Sequence, residues 1–143
     1  MNIVVIDGQG GRMGCQVIEA IRTQKLDVSL TAVGTNALAT AAMLKAGASR
    51  GATGENPVVV ACRDADVVIG PIGILAADSL LGEVTEKMAV AVGRSQATKL
   101  LLPVNQCRNI VVGTQQLTMA QIAQEAAAQV KVLCEKENIQ PSW

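Results

Sequence analysis

Residues Asn2–Ile6 read Asn-Ile-Val-Val-Ile and run straight into Asp7-Gly8-Gln9-Gly10-Gly11-Arg12-Met13-Gly14. No other stretch constrains the fold as strongly. An unbroken β-branched run suits a strand buried on both faces, the environment of a parallel sheet covered by helices. The glycines let the chain reverse within a few residues. Beyond them Gly14, Val17, Ile18 and Ile21 recur at helical spacing to about Thr23. Strand, glycine turn and helix, in that order, open a β-α-β unit.

The alternation continues. Val28–Val33 reads as a second strand, and Asn36 is placed to cap a helix over Ala37–Ala46, with Gly47 as its stop. Ser49–Thr53 reads as a short third strand. Val58-Val59-Val60 then admits two readings. As a strand, Pro57–Cys62 would pair with Asp66–Gly70 in a hairpin, which propensity favours. As a helix capped at Asn56-Pro57, with Pro57 at the first helical position and running to about Asp64, it keeps the alternation and brings Asp66–Gly70 into phase as strand four. The helix is the preferred reading. Gly70-Pro71-Ile72-Gly73 ends that strand, and a helix is expected to run from there to about Leu81 and stop at Gly82. Thr85 caps a further helix, Glu86–Arg94, and Lys99–Val104 is strand five. Ile110–Gly113 is expected as strand six. The link Asn105–Asn109 is too short for a parallel crossover, so that strand should run antiparallel to the fifth. Thr118-Met119-Ala120-Gln121 is a capping box before a stripe of Met119, Ile122, Ala123, Ala126, Val130, Leu133 and Cys134. The expected fold is α/β. It is a three-layer doubly wound sheet, mostly parallel, in the order 3-2-1-4-5-6 with strand six antiparallel, and it spans residues 1–143 as one domain.

Composition removes whole classes of function. The 143 residues include no His, Tyr or Phe, so an imidazole base, a His metal ligand and a Phe/Tyr base-stacking platform are all excluded. Twelve basic residues balance twelve acidic ones, which argues against a nucleic-acid footprint. The chain has no apolar run of membrane-spanning length and no basic region leading into an apolar segment, so neither a spanning helix nor a secretory signal is expected. Cys15, Cys62, Cys107 and Cys134 include no C-x-x-C pair. They read as reduced thiols of a cytoplasmic protein, three of them small core residues, with Cys107 in a polar loop as the one candidate for reactivity.

The glycine turn is the candidate site. A helix start leaves backbone N–H groups unpaired at the positive end of the macrodipole, and glycines allow a phosphate to approach that backbone closely. The register G-x-x-G-x-x-G fits at Gly8, Gly11 and Gly14, whereas G-x-G-x-x-G would place its third glycine at Met13. Gly8, Gln9, Gly10, Gly11, Arg12, Met13 and Gly14 are therefore expected to bind a nucleotide phosphate, with Arg12 as a direct partner. The carboxyl ends of the other strands meet the same crevice. They supply Gly34, Thr35 and Asn36 after strand two and Gly70, Pro71 and Gly73 after strand four. Thr53-Gly54-Glu55-Asn56 and Pro103-Val104-Asn105 lie at the remaining strand ends. Glu55 is the one carboxylate at those later strand ends able to act as a general base. No acid stands at Gly34-Thr35-Asn36 to hold ribose hydroxyls, so the expected cofactor is NAD(P) with a lean to NADP. Asp7 beside a phosphate would be repelled unless it braces the loop's own N–H groups or shares a metal ion. A phosphate-ester or acyl-phosphate enzyme using Asp7, Glu55 and Asn105 needs the second arrangement. A non-catalytic metabolite-sensing or partner-binding module is the other alternative.

Gly8, Gly11, Arg12, Met13 and Gly14 match the Gly-x-x-Gly-Arg-Met-Gly loop, so the first twenty or so residues resemble the cofactor loop of dihydrodipicolinate reductases. That resemblance implies NAD(P)H binding at those positions but not the activity, since that family's histidine-rich motif has no counterpart here. Over its whole length the combination Asp-Gly-Gln-Gly-Gly, Ala-Val-Gly-Thr-Asn-Ala, Gly-Ala-Thr-Gly-Glu-Asn and Ile-Gly-Pro-Ile-Gly-Ile resembles a short bacterial family of Rossmann-like proteins whose function is uncharacterised. The cofactor-type fold consumes the whole chain, so a second subunit is expected to close the crevice. An apolar content of 50% with only 17% charged residues also favours a homodimer or higher homo-oligomer.

Overall fold

The computed structural model of the chain describes residues 1–104 and 108–139. Five strands, β1 (Asn2–Asp7), β2 (Ser29–Gly34), β3 (Arg50–Thr53), β4 (Val67–Pro71) and β5 (Thr98–Leu102), alternate with five helices. These are α1 (Arg12–Thr23), α2 (Ala37–Lys45), α3 (Glu55–Ala61), α4 (Glu86–Arg94) and α5 (Met119–Ile139). The sheet is parallel throughout, in the order β3-β2-β1-β4-β5. β1 lies in the middle, with Ile3 opposite Leu30 on one side and Val67 on the other. Its oily run is thereby explained, because successive side chains enter two different cores. Ile3 and Val5 pack with α1, α2 and α5, while Val4 and Ile6 pack with α3 and α4.

Local chemistry sets the helix starts. The Asn36 side chain accepts the Ala39 N–H at 2.9 Å and caps α2. The Thr118 hydroxyl accepts the Gln121 N–H at 3.2 Å, and the Gln121 side chain accepts the Thr118 N–H at 2.8 Å, completing a capping box ahead of α5. The valine run at 58–60 is helical. In a helix Val58 and Cys62 fall one turn apart and both are buried in the lower core, which outweighs the β-propensity of the run.

Two expectations are corrected. No helix runs from Pro71 to Leu81. A short 3-10 turn over Ile72–Leu75 is followed by tight turns to Val84, with left-handed backbone at Asp78, Leu80 and Leu81. β4 ends and α4 begins at the same edge of the sheet, and a ten-residue helix would carry the chain roughly 15 Å away from it. Compact turns keep it there, with Leu80 and Val84 buried and the Ser79 hydroxyl donating to the Gly73 carbonyl. Ile110–Gly113 forms no strand either. Ile110 and Val112 stand 87% and 92% exposed, so this run has no face to bury, and β-propensity alone does not make a strand. β5 is therefore the last strand on its side of the sheet among the described residues.

Gly70 marks a close approach between neighbouring strands, since a Cβ there would stand 2.5 Å from the Ile6 carbonyl oxygen. Gly70→Ala is expected to lower stability by about 1–3 kcal/mol in urea denaturation through overpacking against backbone. Gly10→Ala, where a Cβ meets nothing within 4 Å, should stay within about 0.5 kcal/mol of the parent.

Candidate functional site

The loops after β1, β2 and β4 meet at the carboxyl edge of the sheet. Between β1 and β4 the direction of winding reverses, which is where α/β sheets open a crevice. Here two carboxylates of the chain itself occupy the loop's donors.

Asp7 is the first. It ends β1 with only 2% exposure. Its Oδ1 accepts the Gly8 N–H and its Oδ2 accepts the Gly14 N–H, each at 2.8 Å. Of the two arrangements open to Asp7, the structure shows the bracing one, in which the strand end is tied to the first turn of α1. Charge-assisted hydrogen bonds stabilise by about 1.5–3 kcal/mol each, while stripping water from a carboxylate costs several kcal/mol. Burial wins, and it pushes the Asp7 pKa up despite the bonds from Gly14 and Gly8, with the nearby charge of Glu83 adding to the rise. With both oxygens committed to the loop, the reading that set a metal on Asp7 loses its basis.

Glu83 is the second, and no local signal in the sequence places it here. It projects from the turns after β4 across the crevice to the β1 and β2 loops. Its Oε2 accepts the Gln9 N–H at 2.8 Å, the Asn36 Nδ2–H at 3.2 Å and the Thr35 hydroxyl. Partial desolvation would raise its pKa, but the bonds from Thr35, Gln9 and Asn36 together outweigh that and hold it below the ordinary value. Gly8 makes room for this contact. A Cβ on Gly8 would meet the Glu83 carboxylate at 2.6 Å and the Thr35 hydroxyl at 2.7 Å. The close approach that a glycine permits is thus taken by the protein's own side chains.

The remaining expected site residues divide clearly. Gly11 is the left-handed N-cap of α1, Met13 is buried in the upper core, and Gly14 packs against Met43. Gly34 packs against Thr40, and Asn36 also donates to the Gln9 carbonyl at 2.9 Å, locking the β1 and β2 loops together. Gly70, Pro71 and Gly73 are buried beneath the crevice. Gln9, Gly10 and Arg12 are exposed. Among the described residues no hydrogen bond uses the N–H of Gly10 or Arg12, and the Arg12 guanidinium has no partner. Glu55 lies in the first turn of α3, apart from these groups. Asn105 and Cys107 fall outside the described residues. Cys62 is buried and Cys15 and Cys134 are half-buried against the core, and burial raises the pKa of all three thiols. Cavities of about 760, 410 and 320 Å³ lie between α3 and α4, along β2, β3 and α3, and between β5 and α5, and none of the three is lined by the glycine loop.

A family described as a domain of unknown function, DUF3842, matches residues 2–135. No curated protein matches the chain. Among solved structures, a dodecameric FMN-dependent UbiX-like decarboxylase from Escherichia coli O157:H7 is similar at 14% identity. The likeness covers 94% of this chain and 95% of that one, at a TM-score of 0.43. Nothing found supports the narrower resemblance to dihydrodipicolinate reductases. The NAD(P) expectation is corrected: Asp7 and Glu83 engage the Gly8, Gln9 and Gly14 amides on which a dinucleotide reading relied. No helix among the described residues is long and apolar enough to cross a membrane.

The two carboxylates bend stability in opposite directions with pH. Glu83, with its pKa below the ordinary 4.5, stabilises the fold above that value and ceases to as pH falls through its folded-state pKa. Asp7, with its pKa above 3.8, contributes most when protonated and progressively less as pH rises through its folded-state value. Urea denaturation from acid to neutral pH should show the advantage of the parent over Glu83→Gln at neutral pH shrinking in acid. A difference independent of pH would contradict this assignment.

Proposed function

The chain belongs to the DUF3842 family, and for this member we propose a small-molecule-binding module that takes a phosphate-bearing ligand of mononucleotide size on the Gly10–Arg12 rim. The observation that carries the reading is the pair of exposed, unpartnered amides at Gly10 and Arg12 beside a free guanidinium, with open space over Gly10. Backbone donors at the start of α1 and an arginine fork are complementary to a phosphate in charge and geometry. The absence of any histidine and the engagement of Asp7 within its own loop favour binding over chemistry at this place.

Calorimetric titration with AMP, FMN and inorganic pyrophosphate should give saturable binding of at least one of them. Arg12→Gln should weaken that binding about tenfold, as expected for one charge-assisted contact. No heat from any of the three at millimolar concentration would end the proposal.

We also propose that the chain works as a homo-oligomer. Leu38, Ile110 and Val112 stand 71–92% exposed, which is apolar surface that an assembly would cover. Light scattering coupled to size exclusion should return at least twice the 14.8 kDa chain mass, and a monomer at all concentrations would refute it.

A further inference from the structure

We propose that Glu83 is a built-in competitor for the loop. In this structure it holds donors that an anionic ligand would otherwise use, and the tip Leu81–Glu83 is the part that swings away on binding. The inference rests on the reading of Gly10–Arg12 as an anion site. It follows from where the donors converge. One oxygen of Glu83 takes a backbone N–H from the β1 loop and a hydroxyl and an amide from the β2 loop, 74, 48 and 47 residues away in sequence. Such a cluster of donors around a single anionic oxygen is what a phosphate oxygen would find there. With Glu83 in place the rim offers the amides of Gly10 and Arg12. With Glu83 withdrawn, the Gln9 N–H, the Thr35 hydroxyl and an Asn36 Nδ2–H lose their acceptor and become available as well.

The segment that carries Glu83 is built for two positions. Its base is fixed. Leu80 and Val84 are each 1% exposed within the lower core, and the Ser79 hydroxyl donates to the Gly73 carbonyl. Its tip is held by backbone bonds and not by burial: the Gly82 N–H donates to the Asp78 and Ser79 carbonyls at 3.1 and 3.2 Å, and the Glu83 N–H to the Leu80 carbonyl at 3.2 Å. Leu81 is 97% exposed, and Gly82 adopts φ +86° with nothing within 4 Å of its Cβ position. Within the tip Leu81 holds left-handed backbone at φ 56°, which is unfavourable for a non-glycine residue. The Glu83 contacts help to hold the tip in this strained form. A ligand that takes over the donors removes that support, and the strain favours release.

The test uses the full chain with AMP and inorganic pyrophosphate as probes. Glu83→Ala is expected to bind the better probe at least tenfold more tightly than the parent, because a competing carboxylate is gone. In the parent, saturating probe should speed amide hydrogen exchange at Gly82 and Glu83, whose N–H groups are bonded to the Asp78, Ser79 and Leu80 carbonyls in this structure, and leave Val84, bonded to the Ser79 carbonyl, protected. Equal affinity of parent and variant, or unchanged exchange at the tip of the saturated parent, would overturn the competitor role while leaving the phosphate site standing. Failure of both proteins to bind either probe would remove the site itself, and the competitor with it. Should Glu83→Ala not fold, the exchange measurement on the parent decides alone.

Discussion

A buried carboxylate at the end of the central strand holds this edge of the molecule together. Asp7 accepts one amide from the residue after it and one from the first turn of α1, so the strand end and the helix start become a single rigid corner. The neighbouring features follow from that corner. Gly14 must lack a side chain because α1 is drawn down against Met43 and Asp7, and Met13, Val17 and Ile18 are thereby aimed into the upper core. Asp7 is an uneasy anchor. Its burial raises its pKa, so the molecule accepts an unfavourable charge in exchange for a fixed loop.

The second carboxylate depends on that corner and on the winding of the sheet. The chain leaves β4 beside β1 and must begin α4 at the same edge, so the connection lies over the crevice rather than beyond it. Glu83 then bridges two loops that are remote from it in sequence. A doubly wound sheet leaves its crevice open at this place for a ligand. Here the protein places in that opening a side chain that accepts three hydrogen bonds, while among the described residues the Gly10 and Arg12 amides stay outside that network.

The similar decarboxylase structure and the family of unknown function supply no chemistry for this chain. Among the described residues the N–H groups of Gly10 and Arg12 have no acceptor, with open space at Gly10, and polar groups so placed are available to a ligand at no cost in existing bonds.

By itself the sequence determined the central strand, the glycine turn, the capping of α2, α4 and α5, and the bracing role open to Asp7. All of these are set by neighbours within a few residues, where periodicity, caps and turn chemistry act directly. It also favoured the helix at Val58-Val59-Val60, through the rhythm of alternating elements rather than through the valines. Only the tertiary structure decided that the residues from Ala76 to Val84 form a strap of turns, that Ile110–Gly113 forms no strand, and that Glu83 reaches Gln9, Thr35 and Asn36. The reason is one of range. Helical spacing in Leu-Ala-Ala-Asp-Ser-Leu-Leu and β-branching in Ile-Val-Val are local preferences worth tenths of a kcal/mol per residue. The path required between β4 and α4, and the presence or absence of a surface to cover, are set by the whole sheet and outweigh them.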